Sequence, residues 1–217
     1  MDVQRVENVA EAFADHVVDA APRSIALSGG STARAGYAAI ASRPHDWSAT
    51  TFWFGDDRCV PTTDPDSNEG MARAVWLDHV AHGPVRSLVV DPTDPAADAD
   101  AYEAQLRAAP PLDVVHLGLG PDGHTASLFP GAATLTITDR WVVPAGDDRH
   151  PHPRLTLTFA GLAEARSIVV TVAGAEKRAA LAGVTAADAA LPATRLVADP
   201  VLAARTTWLV DDAALGG

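Results

Sequence analysis

Leu112-Asp113-Val114-Val115-His116-Leu117-Gly118-Leu119-Gly120-Pro121-Asp122-Gly123-His124-Thr125-Ala126-Ser127-Leu128-Phe129-Pro130-Gly131 is the stretch on which the fold of this 217-residue chain turns. Its first half is a short apolar run, the composition of a strand buried on both faces. Its second half opens on glycines and a proline, the residues that reverse a chain. The turn carries Asp122 and His124 one residue apart at the carboxyl end of the strand. Ligands of open α/β sheets bind at such ends, and a histidine beside a carboxylate holds the parts of a general base near neutral pH.

Outward from this stretch, strand and helix patterns alternate. Residues 6–20 have the spacing of an amphipathic helix. Ser24–Ser28 reads as a short strand that passes through Gly29-Gly30 into an Ala-rich helix over 32–42. Thr51–Phe54 is a strand ending in Gly55-Asp56-Asp57-Arg58, and Ser67 or Asn68 can cap a helix reaching about His82. Ser87–Val90 reads as a strand and 96–108 as a helix. Beyond the central stretch, Trp141–Val143 and Leu155–Phe159 are β-prone, and Ser167–Val172 turns through Ala173-Gly174 into a helix over 175–183. Thr207–Val210 is the last strand and closes the sheet, with Asp211-Asp212 capping a final short helix. This alternation predicts an α/β fold of Rossmann-like type: a doubly wound, mostly parallel sheet with helices on both faces. No repeat or linker divides residues 1–217, which are expected to form a single domain. The segment 139–153, with three prolines, His150 and His152, is the least regular.

Composition bounds the function. A net charge of −12 argues against nucleic acid, whose phosphate backbone needs clustered Lys and Arg. No apolar run reaches the length of a membrane span, and the charged start Met1–Glu7 has no signal-like stretch. Cys59 is the sole cysteine, so no internal disulfide forms and a cytoplasmic location is expected. An anionic small molecule stays open as a ligand, because a local cationic pocket can oppose the global sign. Of 16 basic residues one is lysine, Lys177. It falls in the first turn of the expected helix, where an ammonium opposes the helix dipole unless it faces an anion; a surface lysine is the plain alternative.

Two further motifs, like the turn before Lys177, follow the ends of strands. In Ser28-Gly29-Gly30-Ser31-Thr32, the glycines admit a close ligand and the N–H groups of Gly29, Gly30, Ser31 and Thr32 suit an anion. The plain reading is a turn with Ser31 or Thr32 as helix cap. No Gly-Lys-Ser/Thr follows, so it is not a P-loop, and a third glycine for a dinucleotide fingerprint is missing. Arg58 can grip a carboxylate or phosphate with two hydrogen bonds, or merely pair with a neighbouring aspartate. His79 and His82 lie one turn apart without a third ligand, and His116, inside an apolar strand, reads as a hydrogen-bonded core residue. No zinc signature occurs, so neither metal nor cofactor is expected.

Taken in order, Ser-Gly-Gly-Ser-Thr, Gly-Asp-Asp-Arg-x-Val-Pro, Ser-Asn, Gly-Leu-Gly-Pro-Asp-Gly-His-Thr-Ala-Ser-Leu-Phe-Pro-Gly, Arg-Leu-Thr-Leu-Thr and Gly-x-Glu-Lys resemble the 6-phosphogluconolactonase family, over nearly the whole chain. The resemblance implies hydrolysis of 6-phospho-D-glucono-1,5-lactone in the oxidative pentose phosphate pathway. It implies His124 as general base, Asp122 as its orienting carboxylate, and Arg58 at the reacting carbonyl. Gly29, Gly30, Ser31, Thr32 and Lys177 would hold the phosphate. Two positions depart from the pattern: Asp57 stands where Glu is usual, and His116 where an aliphatic residue is common. Glucosamine-6-phosphate deaminases share the superfamily, but their pattern continues toward Phe-Asn-Glu-Pro and has Tyr where Arg58 stands. A sugar-phosphate-binding regulator would keep the phosphate loop and lose the base. The expected unit is a monomer, with higher oligomers left open by the sequence.

Overall fold

Parallel strands buried on both faces read as continuous apolar runs, and the strands at the centre of this chain do so. Val114–Gly118 and Ser167–Val172 are buried along almost their whole length. The computed structural model describes residues 1–146 and 151–216. Nine strands in it are β1 (Asp2–Arg5), β2 (Ser24–Leu27), β3 (Thr51–Phe54), β4 (Asp56–Arg58), β5 (Val114–Gly118), β6 (Val142–Ala145), β7 (Arg154–Leu157), β8 (Ser167–Val172) and β9 (Thr206–Val210). The longer helices are α1 (Val9–Ala20), α2 (Ser31–Ala41), α3 (Asn68–Val75), α4 (Pro95–Ala108) and, after the four-residue α5 (Phe159–Leu162), α6 (Arg178–Thr185). Short helices α7 (Arg195–Ala198), α8 (Pro200–Ala203) and α9 (Asp212–Leu215) end the chain.

Six strands form one sheet in the order β1-β9-β8-β5-β2-β3, every pair parallel. The doubly wound α/β expectation holds in this sheet. Its core runs without a break into the second, smaller sheet: Val142, Leu155 and Leu157 of the latter belong to the same buried cluster as Ile25, Val115 and Val170. That second sheet, β4-β7-β6, is antiparallel. Trp141–Val143 and Leu155–Phe159 therefore supply strands to a separate layer rather than to the main sheet.

Other differences have local causes. Ser87–Val90 is not a strand. The chain runs beside β3 slightly earlier, where Phe52 donates to Pro84 and accepts from Arg86, both at 2.8 Å. Farther along the same edge the Tyr102 hydroxyl accepts from Phe54 N–H at 2.7 Å. These groups satisfy an edge that would otherwise present unpaired backbone. At the opposite edge lies β1, a strand with all four residues exposed. Exposure on both faces leaves no hydrophobic alternation, so the pattern gave no sign of it, and β9 sits one place inside the edge instead of closing the sheet. The helix after Ser67 stops at Val75 and continues as a single tight turn over Leu77–His79. No helix among the described residues is long and apolar enough to cross a membrane.

Candidate active site

The chain leaves β2 toward β3 on one side of the sheet and leaves β5 toward β8 on the other, although β2 and β5 are neighbours. Such a switch in direction opens a crevice at the carboxyl ends of the two strands. A cleft of about 210 Å³ lies there, lined by the loops after β2, β5 and β8 together with β4 and β7. Of the expected residues, Gly29, Gly30, Ser31, Thr32, Arg58, His124 and Lys177 all line it. Asp122 joins it through His124.

The loop after β5 is shaped by its glycines. Gly123 sits at φ +80°, in the left-handed region. A side chain at Gly120 would place its Cβ 2.1 Å from His124 Nδ1, so the ring can fold back only over a glycine. Gly120 N–H donates to the His124 carbonyl at 2.8 Å, and Thr125 Oγ1 donates to Gly118 at 2.9 Å, which closes the turn. His124 Nδ1 lies 2.5 Å from Asp122 Oδ1, and the same oxygen accepts the His124 N–H at 3.2 Å. Partial burial pushes the Asp122 carboxyl up, but the hydrogen bonds and charge of His124 outweigh it, and the net shift is downward. Asp122 thus stays an ionised acceptor, which holds the ring with Nδ1–H toward the carboxylate and the lone pair on Nε2. Beyond His124 the loop docks on the small sheet: Ser127 Oγ donates to Asp56 Oδ2 at 2.7 Å and Ser127 N–H to Thr156 Oγ1 at 3.1 Å.

The two aspartates before Arg58 point different ways. Asp57 turns to the start of α3, where its carboxylate accepts from the N–H groups of Arg58 (2.7 Å), Asn68 (2.6 Å) and Glu69 (2.9 Å). Ser67 caps the same helix through Gly70 N–H. Burial pushes the Asp57 carboxyl up to about 6, against the pull of those three N–H groups. Its work is to anchor α3, and the shorter side chain in place of Glu suffices because the helix end comes to it. Asp56 instead lines the cleft. Between them Asn68 acts as a pivot: its Nδ2 donates to the Asp56 carbonyl at 2.8 Å, and its Oδ1 accepts from Arg58 at 2.8 Å. A Cβ at Gly29 would fall 1.9 Å from Asn68 Oδ1, so this glycine admits Asn68 as well as any ligand. Arg58 Nε is buried without a hydrogen-bond partner among the described residues, while Arg58 as a residue lines the cleft.

At the third wall, α2 starts at Ser31 with Gly30 (φ +93°) as its cap and no side-chain cap hydrogen bond. The alternative reading of Ser31 or Thr32 as cap does not hold, and the first-turn N–H groups are uncapped toward the cleft. Lys177 ends the tight turn Ala175–Lys177, and α6 begins one residue later. The expected helix from 175 therefore opens with a tight first turn that holds Lys177 and passes directly into α6. The turn is fixed by Asp211, whose carboxylate accepts from Gly174 N–H at 3.0 Å and caps α9 through Ala214 N–H at 2.8 Å.

Arg154 was not singled out from the sequence, although it opens the Arg-Leu-Thr-Leu-Thr motif. It pairs directly across from Arg58 in the β4–β7 ladder and lines the cleft, with its guanidinium 5.6 Å from the Phe129 ring. Paired opposite residues share a sheet face; the signal was the antiparallel pairing, which local sequence does not display. Among the described residues the cleft lining carries Arg58, Arg154 and Lys177 against Asp56, in a chain of charge −12. His152, 3.0 Å from Asp66, lies outside that lining, and His150 lies outside the described residues. His79 and His82 each bond a backbone carbonyl.

Residues 3–208 match the family described as glucosamine-6-phosphate isomerases/6-phosphogluconolactonase. A 6-phosphogluconolactonase of Nostoc sp. is 41% identical over 205 residues, covering 88% of this chain and 82% of the relative. The structure of 6-phosphogluconolactonase from Trypanosoma cruzi superposes with a TM-score of 0.85 at 26% identity, over 100% of this chain and 96% of the other. A monomeric glucosamine-6-phosphate deaminase superposes with a TM-score of 0.83 at 18% identity, over 100% and 99% of the two chains, a likeness of fold alone.

Proposed function

The chain belongs to the glucosamine-6-phosphate isomerase/6-phosphogluconolactonase family, and from that premise we propose that it hydrolyses 6-phospho-D-glucono-1,5-lactone to 6-phospho-D-gluconate, a step of the oxidative pentose phosphate pathway. The observation that carries the reading is the Asp122–His124 pair, 2.5 Å apart, facing a cleft whose lining holds three cations. An imidazole held by a carboxylate suits removal of a proton from water, and the cations suit a phosphorylated substrate.

In this mechanism Nε2 of His124 takes a proton from water as the oxygen attacks the lactone carbonyl. Asp122 stabilises the imidazolium that results. Arg58 hydrogen-bonds the carbonyl oxygen as negative charge develops there. The tetrahedral intermediate then expels the ring oxygen, which takes the proton back from His124 and becomes a hydroxyl. The products are a carboxylic acid, ionised at neutral pH, and the opened chain. The phosphate rests on the N–H groups of Gly29, Gly30, Ser31 and Thr32 with Lys177 as counter-charge, which holds the ring against the base. The sequence has no Gly-x-Ser-x-Gly elbow, so water rather than a serine is the nucleophile. The same reading takes residues 1–217 as a single domain working as a cytoplasmic monomer, with a net charge of −12 keeping copies apart.

The test is a coupled assay, with glucose-6-phosphate dehydrogenase making the lactone and 6-phosphogluconate dehydrogenase reporting its opening. The wild-type chain should accelerate the coupled rate. His124→Ala should lose about 10²- to 10⁴-fold in kcat while binding 6-phosphogluconate as before. Ammonia release from glucosamine 6-phosphate, with no effect on the lactone, would overturn the proposal. Loss of product binding in step with kcat would remove His124 from the role of base.

A further inference from the structure

A histidine with no exposed surface lies directly beneath the cleft and takes no part in the mechanism above. His116 sits in β5, 0% exposed, with its ring stacked on Phe13 at 4.0 Å between centroids. Both ring nitrogens are hydrogen-bonded: Nδ1 to the Tyr37 hydroxyl at 2.8 Å and Nε2 to Thr171 Oγ1 at 2.9 Å. The Tyr37 hydroxyl in turn accepts from Ser28 N–H at 2.7 Å and donates to the Ser28 carbonyl at 3.1 Å. Ser28 opens the glycine loop after β2, Thr171 lies near the end of β8, and both line the cleft.

The proton directions in this chain follow from counting. Tyr37 has one hydroxyl proton, and the Ser28 carbonyl takes it. The contact to His116 must then be Nδ1–H donating to the Tyr37 oxygen. Burial holds the imidazole neutral, its pKa pushed down to about 3, so Nε2 is an acceptor and the Thr171 hydroxyl donates to it. All four contacts are satisfied at once by this one arrangement.

We propose that His116 is a positioning residue for the anion-binding loop, bridging the backbone of Ser28 to Thr171 and so setting the distance between the two cleft walls that take the phosphate. The bridge rests on the reading of this cleft as a phosphate site. An aliphatic side chain here would fill the space and pack on Phe13, but would leave the Tyr37 and Thr171 hydroxyls with one partner fewer in a buried place. Each would then be drawn toward another group, and the Gly29-Gly30 segment would lose its fixed position. Glutamine has a donor and an acceptor at about the spacing of the two ring nitrogens, and can serve both hydroxyls without aromatic stacking.

The experiment measures inorganic phosphate affinity by NMR titration of the Gly29–Thr32 amides, together with KM and kcat for the lactone and thermal unfolding. His116→Leu should weaken phosphate binding and raise KM by about tenfold, the scale of a lost buried hydrogen bond, with kcat little changed. His116→Gln should restore both quantities. Should the leucine variant fail to fold, Tyr37→Phe removes the hydroxyl alone and should show the same loss. A folded His116→Leu with wild-type phosphate affinity overturns the proposal, as does a glutamine variant no better than leucine, which would reduce His116 to its packing on Phe13. Failure of the wild-type chain to bind phosphate also overturns it. Phosphate binding without lactone turnover would instead remove the lactonase reading and leave the bridge supported, since affinity alone carries it.

Discussion

Lys177 shows how far a single residue can be read. Its rarity in an arginine-rich chain draws attention to it, and it lines the cleft together with Gly29–Thr32. No described carboxylate forms an ion pair with its ammonium, whereas Arg43, Arg73, Arg107 and Arg140 all have one. Lys177→Ala is expected to raise KM about tenfold, the strength of one charge-assisted hydrogen bond, and to leave kcat nearly intact. Steady-state kinetics with the lactone checks this; an unchanged KM would make the lysine a surface residue. His124 and Asp122 were equally legible, because a histidine and its carboxylate one residue apart need only a turn to meet. Asp57 and Arg154 were not. Two adjacent aspartates look alike in sequence, and only the arrival of α3, whose Glu69 N–H lies twelve residues on from Asp57, sends one to a helix end and keeps the other in the cleft. Arg154 becomes part of the site through a strand pairing across about a hundred residues, for which no local pattern exists.

Among the elements, helices were readable where caps and apolar stripes agree. Asn8 caps α1 through Ala10 and Glu11, and Val9, Phe13 and Val17 form its buried stripe. Asp94 followed by Pro95 starts α4. The joint between α4 and β6 was hidden, because one charged residue makes it. Glu103, 6% exposed, accepts from Arg140 (2.9 Å), Arg107 (2.8 Å) and the N–H groups of Trp141 (3.0 Å) and Val142 (3.1 Å). Burial alone would raise its pKa, but these donors outweigh burial and bring it down to about 2. A carboxyl whose folded pKa is depressed stabilises the fold above its unfolded pKa and loses that contribution as pH falls through the folded value. Glu103→Gln is therefore expected to cost about 2–3 kcal/mol near neutral pH, at roughly 1.4 kcal/mol per pKa unit. The difference from wild type should shrink below about pH 4.5 and vanish near pH 2. Urea unfolding across that range measures it; a pH-independent difference would mean that the carboxylate's charge is not what holds the joint.

At the scale of the whole molecule, the cleft is a product of strand order. β2 and β5 are adjacent while their onward connections diverge, and the small sheet β4-β7-β6 backs the loop after β5 through Asp56 and Thr156. The exposed edge strand β1 lies two places from β8, the nearest strand of this sheet with a residue on the cleft lining. Deleting residues 2–5 should lower stability by about 2 kcal/mol through lost ladder hydrogen bonds and leave KM and kcat unchanged. Denaturant unfolding and kinetics on the truncated chain decide it, and a raised KM would show that the edge strand supports the cleft. The alternation of apolar runs with helical stripes, and the turns that end those runs, were sufficient for the α/β class and for four loops at one sheet edge, because burial periodicity and turn chemistry are local properties. Strand order, the second sheet, the exposed β1, the division of labour between Asp56 and Asp57, and the His116 bridge depend on pairing between distant segments. Those arrangements are selected by the shared burial of many residues at once, a cooperative quantity that no short window of sequence contains.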